Sequence, residues 1–203
     1  MNQKTWAAAL VTLALGVLAF GCQSGGIGDP CTPEDEYQQF FSGYEVTEVN
    51  IESKSFQCET RLCLVNHFQG RVSCPYGQPA DQTGIPEEHL CHIPGTSDAA
   101  NRVMVAVNKQ FTGRRAADVV YCSCRCAGAD SNARYCKCPT GFQCTPLLEV
   151  IDRLGSRELA GSYCIKNGTG YITGSTDFGT ACQADPAVVA PNPPGPCGQY
   201  NGQ

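Results

Sequence analysis

Apolar residues form one unbroken segment near the N-terminus and short, interrupted segments elsewhere. Trp6–Phe20 contains no charged residue and follows a polar start that carries one cation, Lys4. An apolar run of this length suits the core of an export signal better than a membrane-spanning helix. The small–large–small sequence Ala19–Gly21 lies directly before Cys22 and suits cleavage there. We therefore predict that residues 1–21 are a signal peptide.

The first half of the mature chain is predicted to contain one helix and two strands. Thr32–Asp35 carries a capping hydroxyl, a proline and two acidic residues, which is typical of a helix start, and Gly43 predicts the helix end. Polar and apolar residues alternate in Glu45–Phe56, which indicates a half-exposed strand. Leu62–His67 predicts a second strand, and the Gly- and Pro-rich stretch 75–86 predicts a loop.

The region 119–144 holds the densest group of cysteines. Spacing by two places Cys122, Cys124 and Cys126 on one face of an extended strand. Cys136 and Cys138 repeat the spacing after a loop. We predict a hairpin whose two inward rows of sulfur face other parts of the chain or each other.

Four further segments have a predicted secondary structure. Val103–Val107 is apolar and rich in valine, which predicts a strand. Thr145–Leu154 predicts a short helix with one apolar stripe. Leu159–Lys166 and Tyr171–Thr173 are predicted to be the last strands.

The chain contains 15 cysteines, and this odd number is explained if Cys22 is set apart from the others. The other fourteen can then all form disulfides: Cys31, Cys58, Cys63, Cys74, Cys91, Cys122, Cys124, Cys126, Cys136, Cys138, Cys144, Cys164, Cys182 and Cys197. Five of them precede residue 110 and nine follow it, so at least one disulfide must join the two halves. The pairing is not deducible, although a Cys182–Cys197 bond would close a loop of 15 residues.

Composition supports an exported, cross-linked protein. Charged residues make up only 16% of the chain, which also contains 22 glycines and 13 prolines. We predict a small disulfide-rich fold, mainly β with two or three short helices, as a single compact domain with flexible N- and C-terminal tails. The domain is expected at 31–184, between a lipidated, Gly-rich tether at 22–30 and a Pro/Gly-rich tail at 185–203.

The residues around Cys22 predict a membrane anchor. Leu18–Cys22 resembles the lipobox of bacterial lipoproteins, in which the cysteine receives acyl chains such as palmitate and becomes the new N-terminus. The segment departs from the usual lipobox at Ala19 and Phe20, so ordinary secretion after cleavage at Gly21 is the alternative. Gln23 is not the aspartate that retains some lipoproteins at an inner membrane, which favours an outer-membrane location on either its periplasmic or its surface face.

The net charge of the mature chain bears on whether nucleic acid or lipid is a partner. Signal cleavage removes Lys4 and so changes the formal charge from −5 to −6. An acidic chain does not suit nucleic acid, and it is repelled by anionic lipid. The acyl anchor is therefore the expected contact with the membrane.

Cysteine spacing also bears on metal and redox chemistry. No two cysteines are three positions apart, which excludes the C-x-x-C redox motif and the usual zinc knuckle. Thiolates at Cys122, Cys124, Cys126, Cys136 and Cys138 are candidate ligands for a soft metal. Because an exported chain meets an oxidising environment, disulfides are favoured at these positions and no metal is expected.

The three histidines have candidate roles. His89 and His92, with Glu88 alongside, lie at a spacing that suits a metal on one helical turn, although surface roles also explain them. His67 lies in a predicted strand and is either a structural histidine or a catalytic base.

Two acidic segments and one dibasic pair also offer candidate sites. Glu34–Glu36, and Asp130 with Asn132, offer oxygen ligands for calcium, but a helix start is sufficient to explain the first set. Arg114–Arg115 is predicted to be a solvated pair in a loop, with a processing site or an inhibitor loop as alternatives.

Two resemblances to known proteins can be stated. Tyr135–Cys144 resembles the C-terminal half of an EGF-like module, whose C-x-C-x-x-G-[FY] run forms a minor hairpin. With Ala19–Cys22, Gly28–Cys31 and its density of sulfur, the whole chain is similar to the cysteine-rich, lipobox-bearing envelope proteins of myxobacterial-type bacteria. That resemblance implies an envelope location and a stapled fold, and it implies no catalytic residue.

The expected function is that of a non-catalytic binding or structural protein of the bacterial cell envelope, with a protein or glycan as its ligand. The chain has no G-x-S-x-G, H-E-x-x-H or P-loop motif, so no catalytic residue and no cofactor are assigned. The alternatives are an extracytoplasmic hydrolase with a dispersed site and a thiolate metal-binding protein.

Overall fold

Two three-stranded antiparallel sheets make up most of the regular structure. The structure is a computed structural model that describes residues 25–86, 89–148, 159–183 and 197. The first sheet has the order β1-β2-β3, with β1 at Val49–Glu52, β2 at Leu62–Asn66 and β3 at Val120–Ser123. The second sheet has the order β4-β6-β5, with β4 at Arg125–Ala127, β5 at Phe142–Leu148 and β6 at Gly161–Lys166.

Helical structure in the described ranges is limited to single turns. A short α-helix, α1, spans Ala116–Val119, and 3-10 turns span Glu34–Tyr37 and Ala99–Asn101. The predicted fold class, disulfide-rich and mainly β with little helix, is therefore confirmed. No helix within the described ranges is long and apolar enough to cross a membrane.

The first sheet is buried on both faces. Leu64 and Tyr121 pack on one face against Tyr163 and Ile165 of the second sheet. On the other face, Val65 packs among the sulfur atoms and side chains of a second apolar cluster that includes Cys31, Cys58, Cys63 and Cys122. The Lys166 backbone N–H donates to the Tyr121 hydroxyl at 2.9 Å, which ties the two sheets together.

All fourteen cysteines after Cys22 are paired. The seven disulfides are Cys31–Cys63, Cys58–Cys122, Cys74–Cys91, Cys124–Cys136, Cys126–Cys144, Cys138–Cys164 and Cys182–Cys197. Cys58–Cys122 is the predicted link between the two halves, and Cys182–Cys197 closes the expected loop of 15 residues. Cys22 lies outside the described residues.

The predicted sulfur-rich hairpin over 119–144 is wrong. The chain leaves the first sheet after Ser123 and enters the second at Arg125, so Cys122 and Cys126 belong to different sheets. Their disulfide partners are correspondingly far apart in sequence, because Cys122 bonds to Cys58 and Cys126 bonds to Cys144. Cysteines spaced two positions apart indicate an extended backbone, but this spacing does not identify the strand that lies beside them.

Val103–Val107 is not a strand of either sheet, although it is held in place along its length. The Gln78 side-chain amide donates to the carbonyls of Val103 and Val105, each at 2.8 Å. Gln82 donates to the Val103 carbonyl as well, also at 2.8 Å. The glutamine side chains thus donate hydrogen bonds to backbone carbonyls that would otherwise accept from a neighbouring strand.

Other predicted elements are changed or shortened. The predicted helix over Thr145–Leu154 is wrong for its first four residues, which belong to β5 because they pair with β6. The remainder of that segment, 149–154, lies outside the described residues. Tyr171–Thr173 forms no strand, and the strand predicted over Glu45–Phe56 is limited to β1.

The predicted N-terminal helix is a single 3-10 turn because the Arg71 guanidinium forms hydrogen bonds with carbonyl groups of this segment. The Arg71 guanidinium donates to the Phe41 carbonyl at 2.7 Å, to the Gln38 carbonyl at 3.2 Å and to the Glu36 carbonyl. Its Nε lies 3.4 Å from the Glu36 carboxylate, and both side chains are fully buried. These carbonyls are therefore unavailable to a longer helix.

The Gly-rich segment expected to be a tether is joined to the fold from Gly25 onward. Gly25 donates to the Gln57 carbonyl at 2.7 Å and accepts from the Glu59 N–H at 2.9 Å. Further along, the Gly28 N–H donates to the Cys122 carbonyl, and the Cys122 N–H donates to the Asp29 carbonyl. Any flexible tether is thus confined to residues before Gly25, which the structure does not describe.

Candidate functional site

Arg114 is a buried cation that backbone carbonyls surround. Only 6% of its surface is exposed. Its Nε donates to the His67 carbonyl at 2.6 Å, and its Nη2 donates to the Asn66 carbonyl at 2.7 Å. Weaker contacts join Nη2 to the Thr169 carbonyl at 3.3 Å and Nη1 to the Gly170 carbonyl at 3.4 Å. The guanidinium thus ties the end of β2 to the loop after β6.

The charge of Arg114 is not neutralised within the described ranges. None of the ion pairs found there includes it. Burial lowers the pKa of Arg114, but an arginine side chain remains protonated at neutral pH. Carbonyl oxygens accept its hydrogen bonds without carrying a net charge, so a positive charge persists at this place.

His67 lies directly after β2, and burial favours the neutral form of its imidazole. Its φ of 51° is unusual for a residue other than glycine and turns the chain sharply. Its Nδ1 lies 3.1 Å from the Val46 carbonyl oxygen, so Nδ1 carries the proton and Nε2 is an acceptor. Burial lowers the pKa of His67 and Arg114 acts in the same direction, while the Val46 hydrogen bond opposes both.

Aromatic rings form a column beside these two side chains. The His67 and Tyr171 rings stack with centroids 3.7 Å apart and an interplanar angle of 8°. Phe178 lies 6.0 Å beyond Tyr171, and Phe111 lies 5.5 Å from Phe178. The Arg114 guanidinium is 5.8 Å from the centroid of the Tyr171 ring. The column therefore joins the two halves of the chain next to the buried cation.

An open groove of about 450 Å³ lies between the end of β2 and strand β5. Its polar lining comprises Thr47, Asn66, His67, Thr145, Tyr171 and Thr173. Its apolar lining includes Val49, Leu147 and Ile165. None of the lining residues is acidic, although the whole chain carries more acidic than basic residues. Polar side chains thus outnumber apolar ones in the lining, so the groove suits a polar ligand.

The groove lacks a recognisable catalytic set. Within the described ranges, the His67 side chain contacts the Val46 carbonyl and the Tyr171 ring, and neither is a nucleophile or a carboxylate. The three threonine hydroxyls of the lining make no hydrogen bond to His67 among the described contacts. A base paired with a nucleophile is therefore not assembled here.

Cavities also lie elsewhere in the described part of the chain. One of about 550 Å³ is lined by Tyr76, Ile85, His89 and Lys109 among others. Another, of about 170 Å³, has Glu34, Asp35 and Glu52 in its lining. Burial raises the pKa of Glu52, and the two neighbouring carboxylates act in the same direction.

The candidate metal ligands are used in other ways. In the described ranges, the groups of side chains close enough to share an ion consist of cysteines, and each of these cysteines is in a disulfide. His89 and His92 belong to none of these groups, and Glu88 lies outside the described residues. The thiolate alternative does not hold, because a sulfur in a disulfide is not a thiolate.

The acidic and dibasic segments also have structural roles. The Glu36 carboxylate accepts from the Val72 N–H at 2.7 Å and from the Ser73 hydroxyl at 2.6 Å, so it is unavailable to calcium. Asp130 accepts from the Asn132 N–H at 2.8 Å in a local turn. The prediction that Arg114 is solvated is wrong, and its burial leaves Arg115 as the accessible member of the pair.

Sequence reasoning considered His67 for this site but missed its neighbours. Arg114 was predicted to lie in an exposed loop, and Tyr171 was assigned to a strand. No local pattern marks either residue, because the site depends on contacts between segments about 50 positions apart, such as Arg114 with Thr169 (a separation of 55). Comparison with known proteins adds no further guide: no protein-family model, curated protein or solved structure matches the chain.

Proposed function

We propose that the protein is a lipid-anchored, non-catalytic binding protein of the bacterial cell envelope. Its groove beside His67 and Tyr171 binds a small segment of a peptide or glycan that carries a carboxylate. The observation that carries the proposal is the buried charge of Arg114, which no ion pair among the described residues neutralises, behind a lining without acidic residues.

Electrostatics favour an anionic ligand in this groove. Two unit charges about 8 Å apart attract by on the order of 2 kcal/mol at an effective dielectric constant of about 20. That free energy corresponds to roughly thirty-fold in affinity. Because the rest of the chain is acidic, the local positive potential also distinguishes this groove from the acidic cavity beside Glu52.

The walls of the groove are held in place by disulfides on one side and by hydrogen bonds on the other. β5 is tied to β4 by Cys126–Cys144, and β6 is tied to the preceding loop by Cys138–Cys164. On the other side, Arg114 fixes the carbonyls of Asn66 and His67. A preformed site loses little conformational entropy on binding, which favours a binding role.

The test uses matched ligands that differ in charge. Titration calorimetry would compare N-acetyltyrosine with N-acetyltyrosinamide and glucuronate with glucose. We expect at least one acid to bind about ten-fold more tightly than its neutral counterpart, and its affinity to fall with added salt. The pair that responds identifies the ligand as a peptide or a glycan.

Thr173 allows the charge of the groove to be changed at an exposed position. Thr173→Asp places a carboxylate in the lining, whereas Thr173→Asn is a neutral control of similar size. The aspartate variant should lose the preference for the acid, and the asparagine variant should keep it. Equal affinities for acid and neutral ligand in the wild type would refute the anionic site, and binding of no probe would refute the groove as the site.

A further inference from the structure

The loop between β1 and β2, residues 53–61, lies beside the first described residue of the chain. Gly25 pairs with this loop through two backbone hydrogen bonds, one to Gln57 and one from Glu59. The loop is fixed to the rest of the fold by the Cys58–Cys122 disulfide. The Gln57 side chain also donates to the Thr32 carbonyl at 2.8 Å and accepts from the Thr32 N–H at 2.9 Å. The loop and the N-terminal segment thus form one rigid corner.

Chain length places this corner close to Cys22. Gly25 is three positions after Cys22. An extended chain covers at most about 3.6 Å per residue, so the two Cα atoms are at most about 11 Å apart. If acyl chains hold Cys22 at the bilayer surface, the corner is within reach of the lipid headgroups.

The exposed side chains of the loop suit an interface between lipid and water. Phe56 is 81% exposed, the largest value among the large apolar side chains of the described residues. The Arg61 guanidinium lies 4.1 Å from the centroid of the Phe56 ring, and Lys54 is exposed nearby in sequence. Glu59 is the acidic residue of the loop, so its net charge is +1 in a chain of net charge −5. Aromatic rings with adjacent cations are characteristic of membrane interfaces.

We propose that this loop is a membrane-contact surface, with the Phe56 ring at the headgroup boundary and Lys54 and Arg61 beside lipid phosphates. The proposal rests on the lipid anchor at Cys22 proposed above. The contact fixes the orientation of the whole domain on the bilayer, because a second attachment close to the anchor prevents free rotation. The acidic remainder of the protein is repelled from anionic lipid and faces away.

The test uses tryptophan as a reporter. Trp6 is the one tryptophan of the chain and is lost with the signal peptide, so the Phe56→Trp variant contains a single tryptophan in its mature form. The lipidated variant would be purified from membranes and reconstituted in vesicles of phosphatidylethanolamine with a minority of phosphatidylglycerol. We expect a blue-shifted emission and loss of most of the fluorescence when lipids brominated near the headgroup are included.

Phe40→Trp is the matched control. Phe40 is 74% exposed, and its neighbour Gln39 contacts the segment Ala100–Met104 rather than the loop. Its fluorescence should stay red-shifted and unquenched. Equal quenching of the two variants, or none, in protein whose intact mass shows acylation would overturn the contact surface and leave the anchor standing. An intact mass without acyl chains, with the protein in the soluble fraction, would overturn the anchor and this inference with it.

Discussion

Two buried arginines in this protein are accommodated in different ways. Arg71 faces the Glu36 carboxylate, and both side chains have no exposed surface. Arg114 is surrounded by carbonyls and has no ion pair in the described part of the chain. A buried charge is costly unless it is paired and hydrogen-bonded. The first arginine therefore has a structural role, and the second places a positive charge next to residues that line the groove.

Removal of the Glu36 charge should destabilise the protein strongly. In Glu36→Gln, Arg71 keeps its buried charge and loses its counter-ion, so we expect the free energy of unfolding to fall by about 3–5 kcal/mol. Glu34→Gln is the control at an exposed neighbouring position and should change it by less than about 0.5 kcal/mol. Urea denaturation measures both, and similar midpoints would contradict a structural role for the pair.

His67 should contribute a pH dependence to stability. Because its folded-state pKa is lowered, the unfolded chain takes up a proton at a higher pH than the folded chain does. Stability is therefore lost as the pH falls below the unfolded pKa of about 6.5, by at most about 1.4 kcal/mol per pH unit. The loss ends once the pH is below the lowered folded pKa.

Asparagine is a suitable replacement for His67, because it tolerates a positive φ and does not titrate. The difference in unfolding free energy between the wild type and His67→Asn should shrink between pH 7.5 and pH 5.5, a range that spans the unfolded histidine pKa of about 6.5. A difference that is constant with pH would show that the pKa of His67 is not lowered in the folded protein.

At the scale of elements, side chains replace a neighbouring strand along Val103–Val107. Gln78 donates to two of its carbonyls and accepts from the Cys91 N–H at 2.9 Å. The segment is also tied by the Val103 N–H to the Cys91 carbonyl at 2.8 Å. An apolar run with β-propensity is thus held in place without joining a sheet.

Gln78→Ala should loosen this segment. Three hydrogen bonds are lost, and the Val105 carbonyl and the buried Cys91 N–H lose the partner that the Gln78 side chain supplies, so we expect a cost of about 3 kcal/mol. Gln69→Ala, which removes one exposed bond to the Lys109 carbonyl, is the control and should cost less than about 1 kcal/mol. Hydrogen exchange should accelerate at the Val103 and Val107 amides in the first variant, and unchanged exchange would contradict the role of Gln78.

At the scale of the whole molecule, the disulfides join segments that secondary structure alone leaves separate. Cys58–Cys122 closes a loop of 64 residues, and the chain-entropy model assigns such a link about 4 kcal/mol. Its sulfur atoms lie inside an apolar cluster of the first sheet. Cross-links of this kind supplement the modest core that two three-stranded sheets can form.

Intact mass of the protein from membranes checks both the disulfides and the anchor. Without reductant and under denaturing conditions, alkylation should add nothing, because all fourteen cysteines after Cys22 are paired. The chain should begin at Cys22 and carry acyl chains. Alkylated thiols before reduction would contradict the pairing, and an unmodified N-terminus would contradict the anchor.

The amino-acid sequence by itself determined the properties that depend on counting and on local pattern. Cysteine parity predicted that fourteen cysteines pair and that a disulfide joins the halves, and alternation over Glu45–Phe56 predicted a strand, of which Val49–Glu52 forms β1. The prediction from parity holds because it depends only on the number of cysteines and not on where they lie. The prediction from alternation holds because a half-buried strand alternates polar and apolar residues whichever segment it packs against. The signal and the lipid anchor stay predictions, since residues 1–24 are not described.

Only the tertiary structure decided which segments meet. It divided the cysteine-rich region between two sheets, made β5 from a predicted helix and buried Arg114 beneath a groove. Each outcome depends on contacts with distant segments, whose free energies exceed the few tenths of a kcal/mol per residue by which local propensities differ. The sequence does not distinguish Arg114 from a solvated arginine. Its burial depends on the carbonyls of Asn66, His67 and Thr169, which only the tertiary structure places around it.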